Sequence, residues 1–121
     1  ITPKALSSKI LIIANNQIRS DSGGGGALRL VRNINSEGDT VIHNPGPASS
    51  DGPYELFSSG DIWIRQVITL VDMPTYTADE AIVYRCQTRC YNPGGSKEVT
   101  INDSASHVDG KSHMIAMEIK G

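Results

Sequence analysis

Long apolar runs are missing from this sequence. No stretch approaches the roughly 18 residues of a membrane-spanning helix, so membrane insertion is not expected. A surplus of positive charge is missing too. Lys and Arg total 11 against 13 Asp and Glu, a formal net charge of −2, and the pI is about 5.9. The basic residues are scattered, with only Arg85 and Arg89 forming a local row, which argues against a nucleic-acid partner. Cysteine is scarce: Cys86 and Cys90 stand four apart in one strand pattern. At ~3.3 Å per residue they are ~13 Å apart, whereas disulfide Cα atoms lie within about 7 Å. We read them as free thiols facing the core, since a Cys-x3-Cys metal pair would need ligands this strand does not supply. Hydrophobic residues make up 38% of the 121. That suffices for one domain with a modest core and is low for a self-sufficient monomer. The chain opens on Ile1 with neither a leader pattern nor an initiator Met, which points to a fragment or processed product.

Turn chemistry is plentiful: SDSGGGG, NSEGD, NPGPASSDGP, SSGD, DMPT, NPGG and DSASHVDGKS recur at short intervals. Between them lie short segments rich in Ile, Val, Leu and Tyr, and no amphipathic helix pattern is present. This punctuation predicts an all-β sandwich or barrel of antiparallel strands. Eight strands are expected: Lys9–Arg19, Ala27–Ile34, Thr40–His43, Tyr54–Phe57, Ile62–Val71, Ala81–Tyr91, Glu98–Asn102 and His113–Ile119. Ala81–Tyr91 alternates most cleanly. Ile82, Tyr84, Cys86, Thr88 and Cys90 share one face, and Arg85, Gln87 and Arg89 the other.

Three other strands lack a polar side. Ile62–Val71 carries Ile62, Ile64, Ile68 and Leu70 on one face and Trp63, Val67 and Val71 on the other. Ile10–Ile13 and Met114–Met117 are similarly apolar on both sides. The outer face of a sandwich sheet is normally polar. A covering loop or tolerated exposure accounts for such strands in one reading. A neighbouring subunit accounts for them in the other, which we favour because three separate strands share the feature.

Reaction chemistry is thin. Asp103, His107, Asp109 and His113 are metal-binding residue types, but their loose spacing matches no compact ligand motif, and the same residues build exposed turns. A symmetric oligomer could gather copies of one histidine. Gly23 to Gly26 run into a strand pattern rather than a helix, which favours a hairpin loop over a phosphate cradle. The cysteines lack a placed catalytic partner and no Gly-x-Ser-x-Gly elbow occurs. Adjacent Asp79 and Glu80 read as solvated loop charge rather than a glycosidase pair. Tyr54, Tyr76 and Tyr91 sit at strand ends or in loops, where aromatics either stack on sugars or cap the sandwich. No catalytic residue, metal or cofactor is expected.

Three stretches in order carry a family resemblance: SSKILIIANNQIRSDSGGGGALRLVRN (7–33), VITLVDMPTYTADEAIVYRCQTR (67–89) and INDSASHVDGKSHMIAMEIKG (101–121). Together they resemble the C-terminal domains of tailed-bacteriophage fibre, collar and other virion structural proteins. The Asp72-Met73-Pro74 turn and the closing Met117-Glu118-Ile119 strand carry most of the likeness; the cysteines and the four-glycine run lie outside it. The resemblance implies a jelly-roll-like sandwich acting as a homotrimer on the virion exterior, among other virion proteins. It implies residues 1–7 as a linker or the end of a shaft and 8–121 as the domain. The leading functional expectation is a non-enzymatic receptor-binding tip of a tail fibre, gripping a bacterial surface glycan. The alternatives are a capsid decoration or collar piece without a ligand and, more weakly, a tailspike-type depolymerase module. Strict alternation of eight strands would gather 20–26, 44–53, 72–80 and 103–112 at the end away from both termini. That parity argument selects Tyr76, Asp103, His107, Asp109 and Lys111 as the candidate ligand contacts: a flat aromatic for a sugar ring, with polar groups to orient it.

Overall fold

Our computed structural model describes residues 1–20, 25–43, 56–57, 62–77, 79–90, 99–101 and 111–119. Eight strands lie among them: β1 (Lys9–Ser20), β2 (Gly25–Ile34), β3 (Asp39–His43), β4 (Leu56–Phe57), β5 (Ile62–Asp72), β6 (Ile82–Cys90), β7 (Val99–Ile101) and β8 (His113–Ile119). Every strand expected from the sequence is present, with ends moved by no more than two residues. The described residues contain no helix. Ile is the commonest residue of β1 and β5, where its branched side chain suits a pleated, half-buried surface.

The strands form two antiparallel sheets. In the first, β1 is central. It pairs with β5 along an unbroken ladder from Ile10↔Asp72 to Ser20↔Ile62. Its other flank carries both β7 and β8, with Ile101 beside Ile18 and His113 beside Asn15. In the second sheet β2 is central. It pairs with β6 from Gly26↔Cys90 to Ile34↔Ile82, and its other flank carries both β3 and β4.

That arrangement corrects the parity argument. β7 and β8 both run antiparallel to β1, so they run in the same direction, one after the other along one flank. β3 and β4 do the same along β2. Eight segments therefore occupy six strand positions, and two of the connections do not reverse the chain. The connection after β5 consequently lies at the end that holds Lys9 and Ile119, beside both chain ends and not away from them. Turn residues mark where a strand stops; they do not say whether the chain then turns back.

Even-numbered positions face inward on the long strands. Ile10, Ile12, Ala14 and Ile18 of β1, Leu28 and Leu30 of β2, and Ile68 of β5 form the buried core. Ile64, Leu70, Tyr84, Cys86, Met114 and Ala116 pack against it. Each fully buried aliphatic side chain here contributes about 1.5–3 kcal/mol. Period two alone puts Ile64 inside and leaves Val67, three residues on, 59% exposed.

Residues 1–7, expected as a linker or shaft end, are packed against the end of the sandwich. Ile1 and Ile82 exchange two backbone hydrogen bonds, of 2.9 and 2.8 Å. Pro3 is fully buried. The Glu118 carboxylate accepts hydrogen bonds from the Lys4 N–H (2.8 Å), the Ala5 N–H (3.2 Å) and the Ser8 hydroxyl (2.5 Å). This end also carries a bridge between sheets. Arg32 of β2 donates to both Asp72 oxygens of β5 (2.7 and 2.9 Å), and the Tyr84 hydroxyl of β6 donates to Asp72 Oδ2 (2.9 Å). Burial, reinforced by the Asp72 carboxylate, pushes the Tyr84 hydroxyl well above its ordinary pKa of 10.0.

Candidate functional site

Tyr76 and Lys111, the two expected ligand contacts among the described residues, do not converge. Tyr76 lies in the segment after β5, at the end that holds residues 1–8, and is only 8% exposed. Its hydroxyl donates to the Ala5 carbonyl. The ring caps the sandwich, the second of the two roles open to it, and offers no free face for a sugar. Lys111 is exposed, just before β8. Asp103, His107 and Asp109 lie outside the described residues. The segment that carries them leaves the sheet at Ile101, beside Ile18, and rejoins it at His113, beside Asn15. That position is at least five residues along β1 from Ile10, the partner of Asp72, or ~17 Å at strand rise. Tyr76 and Lys111 thus belong to different parts of the surface.

The break between β7 and β8 has its own chemistry. Asn16 and Gln17 sit opposite the gap, where β1 has no ladder partner on that flank. The Gln17 N–H is satisfied instead by Ser112 Oγ at 2.9 Å. Asn16 and Gln17 are 4% and 3% exposed. Asn16 Nδ2, Gln17 Oε1 and the cross-strand Gln66 Oε1 are buried without a hydrogen-bond partner. This polar interior is a feature that reading for apolar alternation passed over, although the run Asn15-Asn16-Gln17 inside an otherwise apolar strand is its visible signal.

Among the described residues no group of three or more His, Cys, Asp or Glu is placed to hold a metal. Cys86 is a free, partly buried thiol. Burial raises its pKa, which makes it a poor nucleophile at neutral pH. His113 is exposed at the start of β8. Asp79 ion-pairs with Lys4 at 3.6 Å, and Glu80 Oε2 accepts the Thr77 N–H at 2.7 Å, so neither faces the other across a cleft.

The most distinctive surface is the outer face of the first sheet. The register places Val71–Leu11–Met117 in one row across β5, β1 and β8, and Thr69–Ile13–Ile115 in the next. Met73 (71%), Val67 (59%) and Met117 (46%) are among its most exposed members. The three doubly apolar strands read from the sequence are therefore neighbours in one sheet, and their second sides merge into a single surface. At the far end, the Arg19 guanidinium lies 5.5 Å from the centroid of the Trp63 ring. The apolar rows run ~20 Å along β1 from Lys9 to Asn15 and about 10 Å between the outer strand axes. That is roughly 200 Å², a patch of the size that single chains themselves carry.

The outer face of the second sheet carries a network of polar groups beside the exposed Val41 and Val83. Asp39 accepts from Arg85 (2.9 Å), Gln87 (3.0 Å) and Asn33 (3.3 Å), and Arg29 donates to Gln87 (2.7 Å). Val31, at the centre of that face, is 1% exposed.

Fold and surface together define an all-β sandwich of two antiparallel sheets, one with an apolar outer face. In comparisons with known proteins, the chain matches no family model, no curated protein and no solved structure.

Proposed function

We propose that this chain is a non-enzymatic, self-associating structural domain of a phage virion, a homotrimeric tail-fibre tip that attaches to a bacterial surface glycan. The observation that carries the reading is the merged apolar outer face of β5, β1 and β8. Apolar side chains from three adjacent strands on one outer face favour assembly, because exposing them costs free energy that a neighbouring subunit recovers. The number three and the virion setting rest on the resemblance of the three ordered sequence stretches to fibre and collar domains. Recognition is assigned to the segment between β7 and β8, with Asp103, His107, Asp109 and Lys111 as the contacts. Segments that interrupt an edge strand stand on a rigid scaffold, where recognition is commonly built. Tyr76 drops out of that set because its ring is buried.

Multi-angle light scattering tests the assembly: a trimer at micromolar concentration is expected, and a stable monomer refutes it. Binding to host cells or purified surface glycan tests attachment. Asp109→Ala combined with His107→Ala should abolish binding and leave the trimer intact. If binding is undiminished, recognition lies elsewhere. Locating the domain on an assembled particle separates a fibre tip from a capsid decoration or collar piece.

A further inference from the structure

Inside the sandwich, one row of the first sheet breaks the apolar pattern. Asn16 of β1 stands directly opposite Gln66 of β5. Both occupy inward-facing positions: the rows on either side are Ala14 with Ile68 and Ile18 with Ile64, all of them core residues or packed against the core. Asn16 is 4% exposed. Its Nδ2 and the Gln66 Oε1 are both buried, and neither has a hydrogen-bond partner. One is a donor and the other an acceptor, so the two amides are complementary in kind and yet are not joined. The Asn16 amide also approaches the Cys86 sulfur of β6 in the facing sheet. That sulfur is a protonated thiol at neutral pH and a weak acceptor, so it leaves Nδ2 unsatisfied. Asn15 and Gln17, one position to either side, belong by alternation to the outer face and do not share this site.

The same row has less strand around it. On the flank of β1 away from β5, Met114 stands beside Ala14 and Ile101 beside Ile18, and both pack against the core. Between them the described strands supply no residue opposite Asn16, because β7 ends at Ile101 and β8 begins at His113.

A buried amide atom without a partner is costly, and native interiors answer it with a protein group or an ordered water. We infer that Asn16 and Gln66 hold a buried water molecule between them, which accepts a hydrogen bond from Asn16 Nδ2 and donates one to Gln66 Oε1. Both atoms are sealed from solvent in the folded chain, so the occupant is small. It must accept and donate at once, which a water does and a metal cation does not. The break between β7 and β8 supplies room in that row. The Cys86 thiol offers the water a third, weaker contact. The entropy lost by fixing one water is small beside the bonds it restores. This site stands apart from the proposed assembly and attachment and does not depend on either.

Water-selective NMR on the nitrogen-15-labelled full chain tests it. The Asn16 side-chain amide protons should show cross-peaks to water of opposite sign in NOE and ROE spectra. That combination marks a long-lived contact and separates it from proton exchange. Gln66→Met keeps a linear side chain of similar length and removes the acceptor, and the Asn16 cross-peak should disappear while a thermal melt shows a folded chain. Should Gln66→Met fail to fold, Asn16→Val read at the Gln66 side-chain amide protons decides in the same way. A parent chain without the long-lived contact at Asn16 overturns the inference. So does a direct hydrogen bond between the two amides, read as a scalar coupling across it, or a water contact that persists unchanged when either partner is replaced.

Discussion

On the outer face of the second sheet, Val31 is 1% exposed, with Val41 and Arg85 as its two cross-strand neighbours. Asp39, Arg85 and Gln87 reach across from the flanking strands and close over it. On the outer face of the first sheet the equivalent central positions, Leu11 and Ile13, have no such cover. Their cross-strand neighbours are Val71, Met117, Thr69 and Ile115, side chains that cannot span the row with hydrogen bonds. The two faces share pleat and register rules and differ only in which side chains occupy the flanking strands. A valine can be buried by its own sheet when polar neighbours arch over it. Where the neighbours are apolar as well, the sheet leaves apolar side chains such as Val67, Val71 and Met117 exposed.

Five substitutions sharpen this contrast. The largest effect is expected inside. Ile64→Asp puts a carboxylate against the core of β5 and should destabilise by about 4 kcal/mol or more, enough to prevent folding. Loss of the cooperative unfolding transition would show it, and a folded Ile64→Asp would refute the face assignment.

Next comes the bridge between the sheets. Asp72→Ala removes the partner of Arg32 and Tyr84 and leaves the mostly buried guanidinium unpaired, a loss of about 3–5 kcal/mol in denaturant unfolding. The same site governs alkaline stability. Because the Tyr84 pKa is raised on folding, its contribution is complete below the ordinary value of 10.0. Above that value the unfolded chain gives up this proton and the folded chain keeps it, so stability falls as pH rises. Burial of Cys86 acts in the same direction from its ordinary 9.0 upward. Tyr84→Phe should flatten the decline above pH 10. An unchanged slope would mean that Tyr84 does not carry it.

A smaller effect is expected on the polar face. Asp39→Ala breaks an ion pair whose side chains are 31% and 53% exposed, so solvent screening limits the loss to about 1 kcal/mol. Its more telling readout is hydrophobic dye binding, which should rise as the cover over Val31 opens. The smallest effect on stability belongs to Val67→Asp on the apolar face, within about 0.5 kcal/mol, because the side chain already faces solvent in the single chain. Assembly should nevertheless weaken in light scattering. An assembly indifferent to Val67→Asp would show that the apolar face lies outside the interface.

Much of the fold was legible because period two is a local property. The alternation in Ile82–Cys90 names its core side directly, and each turn cluster marked a true strand end. What could not be read was direction. The breaks after His43 and Ile101 look like hairpin turns in sequence, yet the chain continues along the same flank in both places. Nothing local distinguishes the two, since the choice depends on which strand edge is open when the chain returns. The candidate site suffered accordingly. Tyr76 and Lys111 were joined only by counting reversals, and two of the counted reversals do not occur.

The sequence by itself determined that this is an all-β chain, where its strands lie, and that three of them are apolar on both sides. Those features follow from side-chain spacing along a pleated strand and need no knowledge of neighbours. Only the tertiary structure decided that β5, β1 and β8 are adjacent, so that three separate excesses of apolar side chains become one surface. It also decided that Asp72, from the most recognisable turn in the sequence, faces inward to tie the sheets together rather than outward toward a ligand. Adjacency of this kind comes from pairing strand residues more than forty positions apart in the chain, which no local pattern encodes.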